Sequence, residues 1–180
     1  MCSRSILEVG EPLVNYLNLQ ALTDKKKESL VAALYAGSIF IILALVYLIH
    51  LSSNFADKIV NFFSSFVLAQ VPGTGIALPA PANPAAYTVL YAAAFQFSIG
   101  VGILEIAILA LRIYMHSPYP RKAETIENIA FWLGASYLII AYLMNTTLQT
   151  EWFVFWAGII LVAGLSMVAR AFVLLAGQKS

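Results

Sequence analysis

The stretch that decides the fold is residues 87–114, which read YTVLYAAAFQFSIGVGILEIAILALRIY. It exceeds the ~20 apolar residues that a helix needs to cross a bilayer, yet it carries Glu105 inside and Arg112 near its end. Ala94, Ser98 and Gly102 recur every four residues and therefore share a helix face that leads to Glu105. Small residues let helices approach closely in membranes. The stretch predicts a spanning helix that packs against other helices.

The composition of the whole chain points the same way. Of its 180 residues, 61% are hydrophobic and 11% are charged, with a mean hydropathy of +0.84. Soluble domains carry about 25% charged residues, so this chain is predicted to reside in a membrane. The net charge of +1 and the lack of a basic stripe disfavour nucleic acid as a partner. The expected partners are membrane lipids, other membrane subunits or copies of the chain itself.

Sequence motifs for chemistry are missing. The chain has one cysteine, Cys2, so no disulfide can form within it. Neither a dinucleotide fingerprint, a phosphate-binding loop, a nucleophile elbow nor a zinc-protease motif occurs. His50 and His116 fall on opposite predicted sides of the membrane and cannot share a metal. We therefore predict no catalytic residue, no metal and no cofactor; a bound lipid is compatible with the sequence and a quinone is disfavoured.

The predicted fold class is all-α, a polytopic membrane protein built as a four-transmembrane-helix bundle. Residues 29–180 form its single transmembrane domain, with spans near residues 30–51, 86–115, 126–146 and 152–176. Residues 1–28 are predicted to be a cytoplasmic amphipathic segment that holds an N-terminal surface helix.

Residues 52–85 are the longest segment predicted to lie outside the spans. Residues 57–70 place apolar side chains at helical spacing, which predicts an amphipathic or re-entrant helix on the outer face. Residues 71–86 are rich in proline and glycine and cannot continue that helix. Because these residues are also poor in charge, we expect them to be ordered and packed over the bundle or against a partner.

The distribution of basic and aromatic residues predicts the topology. Lys25, Lys26 and Lys27 directly precede the first span and are expected to anchor it on the cytoplasmic side. Trp152 and Trp156 open the fourth span as an outer aromatic belt. Four spans then place both termini in the cytoplasm of a protein of the cell membrane.

Glu105 and Arg170 are the two charges that lie well inside predicted spans. Each lies roughly 27 Å from the outer end of its helix, at the cytoplasmic edge of a core about 30 Å thick. The matched depth predicts an interhelical cluster of Glu105, Arg170 and Arg112. Small residues on the fourth span, Ala163 and Ser166, line up with Arg170 as Ser98 and Gly102 do with Glu105.

Three functions are compatible with this pattern. The favoured one is a non-catalytic structural or accessory subunit of a larger membrane complex, because catalytic motifs are missing and the outer segment is poor in charge. The first alternative is a small homo-oligomeric ion or solute channel or transporter that uses Glu105 and Arg170. The second is a membrane enzyme that acts on lipid or quinone.

The order of elements is similar to the layout of DoxX-like four-helix membrane proteins. That layout is a spanning helix, an outer amphipathic segment, a proline-rich stretch and a helix with an internal glutamate, here Glu105. The resemblance implies a four-helix membrane fold and a link to quinone-linked oxidation, with which some of that family are associated. The N-terminal segment and the long Pro/Ala stretch of this chain depart from the layout.

Overall fold

The computed structural model describes residues 10–145 and 148–177, except for the side chains of residues 10–25, 27 and 52. The chain divides into two compact units, Met1–Ser38 and Ile39–Ser180. Helix α1 (Gly10–His50) begins in the first unit and ends in the second. The second unit contains the other described helices and both described strands.

Four helical stretches are long and apolar enough to cross a membrane, as the sequence predicts. They are Glu28–His50, Pro84–Tyr114, Tyr119–Met144 and Gln149–Gly177. The first, second and fourth agree with the predicted spans to within a few residues. The second stretch consists of a 3-10 turn, Pro84–Tyr87, followed by α3 (Thr88–Tyr114), and the fourth is α5 (Gln149–Gly177).

The prediction of a separate N-terminal surface helix is wrong, because α1 is continuous from Gly10 to His50. Between Pro12 and Gly37 the sequence has neither proline nor glycine, and lysine, glutamate, leucine and alanine all favour helix. The lysine triplet therefore lies inside the helix rather than in a connection before it. Of that triplet the side chain of Lys26 is described, and it is exposed.

The predicted connector between the second and third spans is too long. α4 (Tyr119–Leu138) begins well before residue 126, so the connection shrinks to residues 115–118. Pro120 lies in the first turn of α4, where its missing N–H costs no helical hydrogen bond. The helix continues in π-helical geometry over Ile139–Met144, and the predicted end at residue 146 lies outside the described residues.

The prediction of an all-α fold is wrong in the segment between α1 and α3. The expected helix over residues 57–70 is shorter, α2 (Phe55–Ser64), and is followed by an antiparallel hairpin of β1 (Phe66–Gln70) and β2 (Ala77–Pro81). We call α2 and the hairpin together, Phe55–Pro81, the cap. β-Branched and aromatic residues suit β1, and the prolines of β2 suit an edge strand.

The cap is ordered and packed on α3 and α5, as expected from its low charge. The Tyr87 hydroxyl donates to the Asn61 carbonyl oxygen (3.2 Å), and the Trp152 indole N–H donates to the Pro79 carbonyl oxygen (3.2 Å). The Phe62 ring meets the rings of Phe66, Tyr87, Tyr91 and Trp152 edge-on. Such aromatic contacts are each worth about 0.5–1.5 kcal/mol beyond area burial.

The three helices of the bundle pack in sequence, α3 on α4 and α4 on α5, and glycines mark the closest approaches. A Cβ on Gly102 of α3 would lie 2.7 Å from Leu133 Cδ2, and one on Gly134 of α4 would lie 2.6 Å from Val162 Cγ1. Valine is stiff at χ1 and cannot swing aside easily. The α4–α5 contact therefore depends on Gly134.

We expect Gly134→Ala to lower the free energy of unfolding by about 1–3 kcal/mol, the usual cost of overpacking. Gly164→Ala on α5 is the matched control, since nothing lies within 4 Å of its added Cβ. Thermal unfolding in detergent, followed by circular dichroism, measures both variants. Equal stability of the two variants would contradict the close α4–α5 packing.

Candidate functional site

The most buried charged residue of the described chain is Glu105 on α3, which is 2% exposed. Its Oε1 accepts a hydrogen bond of 2.8 Å from the side-chain amide of Asn128 on α4. Gly102, one turn before Glu105, allows the close approach of α4 through Leu133. The small residue therefore brings the two helices together at the level where the carboxylate meets its partner.

Arg170 on α5 has a different partner from the one predicted. Its Nη1 lies 3.0 Å from Glu127 Oε2, with side-chain exposures of 46% and 18%. The sequence predicts Glu105 as the partner of Arg170, whereas the ion pair that the structure shows for Arg170 is with Glu127. Glu127 and Asn128 are consecutive on α4, and consecutive residues point in different directions around a helix. α4 thus lies between the two charges and binds both.

Arg112, the third member of the predicted cluster, binds the first turns of α4. Its Nη1 donates to the Arg121 carbonyl oxygen (2.6 Å) and to the Thr125 hydroxyl. Thr125 is fully buried and donates in turn to the same carbonyl oxygen (3.0 Å). Together with Glu127 and Asn128, Thr125 makes contacts to neighbouring helices from within the first three turns of α4. We call these three residues the α4 contact line.

The predicted small-residue faces divide into two roles. Ser98 and Gly102 are buried on α3, and Ser166 is buried on α5, where its hydroxyl donates to the Ala163 carbonyl oxygen (2.8 Å). Ala94 is exposed and instead lines an open groove between the second half of α1 and α3. Helix contact and groove therefore occupy different parts of α3.

That groove, the α1–α3 groove, has a volume of about 680 Å³ and is lined almost wholly by apolar side chains. At the same end of α3, the His50 Nε2 and Gln96 Oε1 atoms are hydrogen-bonded (3.1 Å), and the His50 ring stacks on Phe55. The groove lining comprises Phe40, Leu43, Ala44, Val46, Tyr47, Phe55, Ile59, Leu90, Ala93, Ala94 and Phe97.

A second pocket, of about 810 Å³, lies between the cap and α5 and is lined by aromatic side chains. Of the two predicted belt tryptophans, Trp156 is half exposed at this pocket, whereas Trp152 is only 7% exposed and binds Pro79. Trp152 therefore packs against the hairpin, and its predicted place in the aromatic belt that anchors the fourth span stays a prediction.

Sequence reasoning missed the polar residues of α4, which carry the contacts. A third span that begins near residue 126, as the sequence predicts, leaves Thr125 in the connector and places Glu127 and Asn128 in the first turn of the helix. Pro120 was the available signal, because proline is favoured in the first turn. A helix that begins at Tyr119 places Glu127 and Asn128 more than two turns inside it, facing its neighbours.

The polar contacts of this site connect α4 to the helices on either side of it. Each side chain of the α4 contact line meets a group on α3 or α5, and the described residues contain no group of three or more histidine, cysteine, aspartate or glutamate side chains that could hold a metal. Hydrogen bonds to charged groups are worth about 1.5–3 kcal/mol each.

Comparison with known proteins gives no relative. No protein-family model, no curated protein and no solved structure matches this chain. The resemblance in layout to DoxX-like proteins therefore stays an expectation.

Asn128→Leu removes the amide that binds Glu105, and we expect it to lower the free energy of unfolding by about 1–3 kcal/mol. Combining it with Glu105→Leu is expected to restore much of that loss, because an apolar pair can replace a buried polar pair at little cost. Denaturant unfolding in detergent gives the coupling free energy from the double-mutant cycle.

Glu124→Gln is the control for this cycle, since Glu124 pairs with Arg121 at an exposed position where side-chain exposures are 43% and 52%. Such pairs contribute at most about 1 kcal/mol. A coupling free energy near zero between Glu105 and Asn128 would show that their hydrogen bond does not stabilise the contact of α3 with α4.

Proposed function

We propose that this chain is a multi-pass protein of the cell membrane, with both termini in the cytoplasm, and a non-catalytic structural or accessory subunit of a larger membrane complex. Four helices of sufficient length and hydropathy support membrane insertion. The positive-inside rule supports the orientation, since Lys26, Arg121 and Lys122 fall on one predicted side.

The observation that carries the subunit proposal is the loose fit of the second half of α1. Among residues 39–50 only Val46 is buried, and the α1–α3 groove stays open beside it. Helix association in membranes is driven largely by van der Waals packing. A spanning helix that makes little of this packing within its own chain offers its surface, and the groove next to it, to a helix of another subunit.

The contacts of the ionisable residues support a non-catalytic role. Glu105 and Arg170 are engaged by neighbouring residues of α4, and Arg112 is engaged by the start of the same helix. Ion or solute transport through Glu105 and Arg170 would need a path between helices that Gly102 and Gly134 hold in close contact. We therefore rank the channel or transporter below the subunit.

Lipid binding is the second candidate, and the aromatic pocket between the cap and α5 favours it. Phe62, Phe66, Trp152 and Trp156 offer ring faces and edges to an acyl or isoprenoid chain. An enzyme acting on that lipid or on a quinone has less support. A smaller pocket of about 370 Å³ shares Phe62 and Trp152 with the aromatic pocket and is also lined by Ala94 of α3. Ala94 lies about 16 Å along α3 from Glu105, so this carboxylate is not beside that pocket.

Extraction of the chain with its surrounding lipid in an amphipathic polymer, followed by native mass spectrometry, tests the proposal. We expect a particle that contains other polypeptides in fixed stoichiometry. Ala94→Phe fills the α1–α3 groove and should reduce recovery of those polypeptides about tenfold, which corresponds to about 1.4 kcal/mol.

Gly164→Phe is the matched control, because Gly164 also lies in a spanning helix and has open space around it. This variant should keep the associated polypeptides. A particle that contains only this chain and lipid, in every extraction that preserves its fold, would contradict the subunit proposal. Lipid that remains bound after detergent exchange and is lost in Trp156→Ala would favour the lipid-binding candidate.

A further inference from the structure

The buried hydroxyl group of Tyr91 has no hydrogen-bond partner in the described part of the chain. Tyr91 lies in the first turn of α3 and is 4% exposed. Two nearby polar groups do have partners, since the Tyr87 hydroxyl donates to the Asn61 carbonyl oxygen and the Trp152 indole N–H donates to the Pro79 carbonyl oxygen. Buried polar groups are nearly always hydrogen-bonded, because an unpaired one costs free energy. A ligand that accepts a hydrogen bond from Tyr91 would remove this cost.

Tyr91 also lines the pocket of about 370 Å³ that lies between α2, α3, α5 and the π-helical stretch Ile139–Met144. We call it the Tyr91 pocket. Among the described residues that line it, none is charged, and only Tyr91 and Trp152 carry polar side-chain atoms. Small-molecule sites have volumes of roughly 300–1,000 Å³ and apolar linings with few polar groups. The Tyr91 pocket has both properties.

A π-helical turn forms one wall of the Tyr91 pocket. Ile139 and Leu143 line the pocket from within this turn, and both are buried. π-Helical turns are rare, and they occur frequently at functional sites. This observation is independent of the Tyr91 hydroxyl and points to the same place in the fold.

The Tyr91 pocket adjoins the aromatic pocket between the cap and α5. The two pockets share Phe62, Phe63 and Trp152, and Phe63 is 69% exposed. From Trp152 the aromatic pocket follows α5 to Ile160, about 12 Å along the helix. An elongated apolar molecule can therefore place one end beside Tyr91 and its chain against α5.

The polar end of such a molecule has to be neutral and has to accept a hydrogen bond. A charged group would find no opposite charge among the lining side chains, and burial of an unpaired charge is costly. A water molecule is a poor partner, because buried waters make about three hydrogen bonds and the described lining offers them the Tyr91 hydroxyl alone. An ester carbonyl oxygen meets both requirements.

The level of Tyr91 along its helix favours the ester of an acyl lipid. The apolar stretch Pro84–Tyr114 has 31 residues. As a helix it is about 46 Å long, close to the 40–45 Å of a bilayer with its headgroups. Tyr91 lies roughly 10 Å from the start of this stretch, near the edge of a hydrocarbon core about 30 Å thick. Ester groups join the headgroup of a lipid to its acyl chains, so they lie at the same edge.

We propose that the Tyr91 pocket binds the ester carbonyl of an acyl lipid whose chain lies in the aromatic pocket. The Tyr91 hydroxyl donates to the carbonyl oxygen, and the headgroup stays outside the protein. This inference rests on the lipid-binding candidate of the proposed function and names the group that is recognised. It does not depend on the subunit proposal, because Tyr91 does not line the α1–α3 groove.

Competition between two phosphatidylcholines with equal chains, one ester-linked and one ether-linked, tests the proposal. The ether lipid lacks the carbonyl groups. The full chain is purified in detergent and mixed with equal amounts of both lipids, and bound lipid is counted by native mass spectrometry. We expect the native chain to retain the ester lipid about tenfold more than the ether lipid, and Tyr91→Phe to retain both equally. Tyr47→Phe is the matched control and should keep the native preference, since Tyr47 lines the α1–α3 groove instead.

Trp156→Ala separates this inference from the candidate on which it rests. It should lower the retention of both lipids alike and leave the ester preference in place, because Trp156 lines only the part that holds the chain. Unchanged retention in Trp156→Ala overturns the lipid-binding candidate. Equal retention of the two lipids by the native chain, while Trp156→Ala still lowers retention, overturns this inference alone. An ester preference that survives in Tyr91→Phe also overturns it.

Thermal unfolding in lipid-free detergent gives a second readout. Because the Tyr91 hydroxyl has no partner in the described part of the chain, Tyr91→Phe should have the same Tm as the native chain or a higher one. Added ester lipid should raise the Tm of the native chain more than that of the variant. A lower Tm of Tyr91→Phe without lipid would show that the hydroxyl is already bound within the protein, which overturns the proposal.

Discussion

The structure depends on two consecutive side chains of α4. Glu127 binds Arg170 of α5, and Asn128 binds Glu105 of α3, so one helix determines the rotation and level of both of its neighbours. Apolar packing alone leaves such a bundle free to slide or rotate, because lipid covers apolar side chains as well as protein does. Gly102 and Gly134 add steric limits on the same two contacts. The polar contacts and the close packing at the glycines therefore together determine how α3 and α5 are placed against α4.

In the cap, strands lie next to spanning helices, so the outward backbone groups of these strands need hydrogen-bond partners or must be removed. β2 meets this need with prolines at its outward positions and with Trp152 and Gln149 as donors to its carbonyl oxygens. Helix α2 covers the start of α3 through Phe62 and the hydrogen bond of Tyr87 to Asn61. Among the described residues, the outer edge of β1 has no hydrogen-bond partner. The two edges of the hairpin therefore differ, since α5 binds the outer edge of β2.

The sequence predicted the parts that depend on long apolar runs and missed those that depend on pairing between distant residues. The four spans follow from hydropathy, and the matched level of Glu105 and Arg170 follows from helix rise. Their true partners required the register of α4, which depends on where that helix begins. Residues 66–70 continue the apolar helical spacing of α2, so their strand state becomes evident only once residues 77–81 lie beside them.

We propose that the ionisable residues inside the bundle hold helices together and do not carry ions. The most direct measurement is proton flux in liposomes that contain the purified chain, under an imposed pH gradient. We expect a flux equal to that of protein-free liposomes, for the native chain and for Glu105→Gln alike. A flux above that background that Glu105→Gln abolishes, while Glu124→Gln preserves it, would contradict the claim.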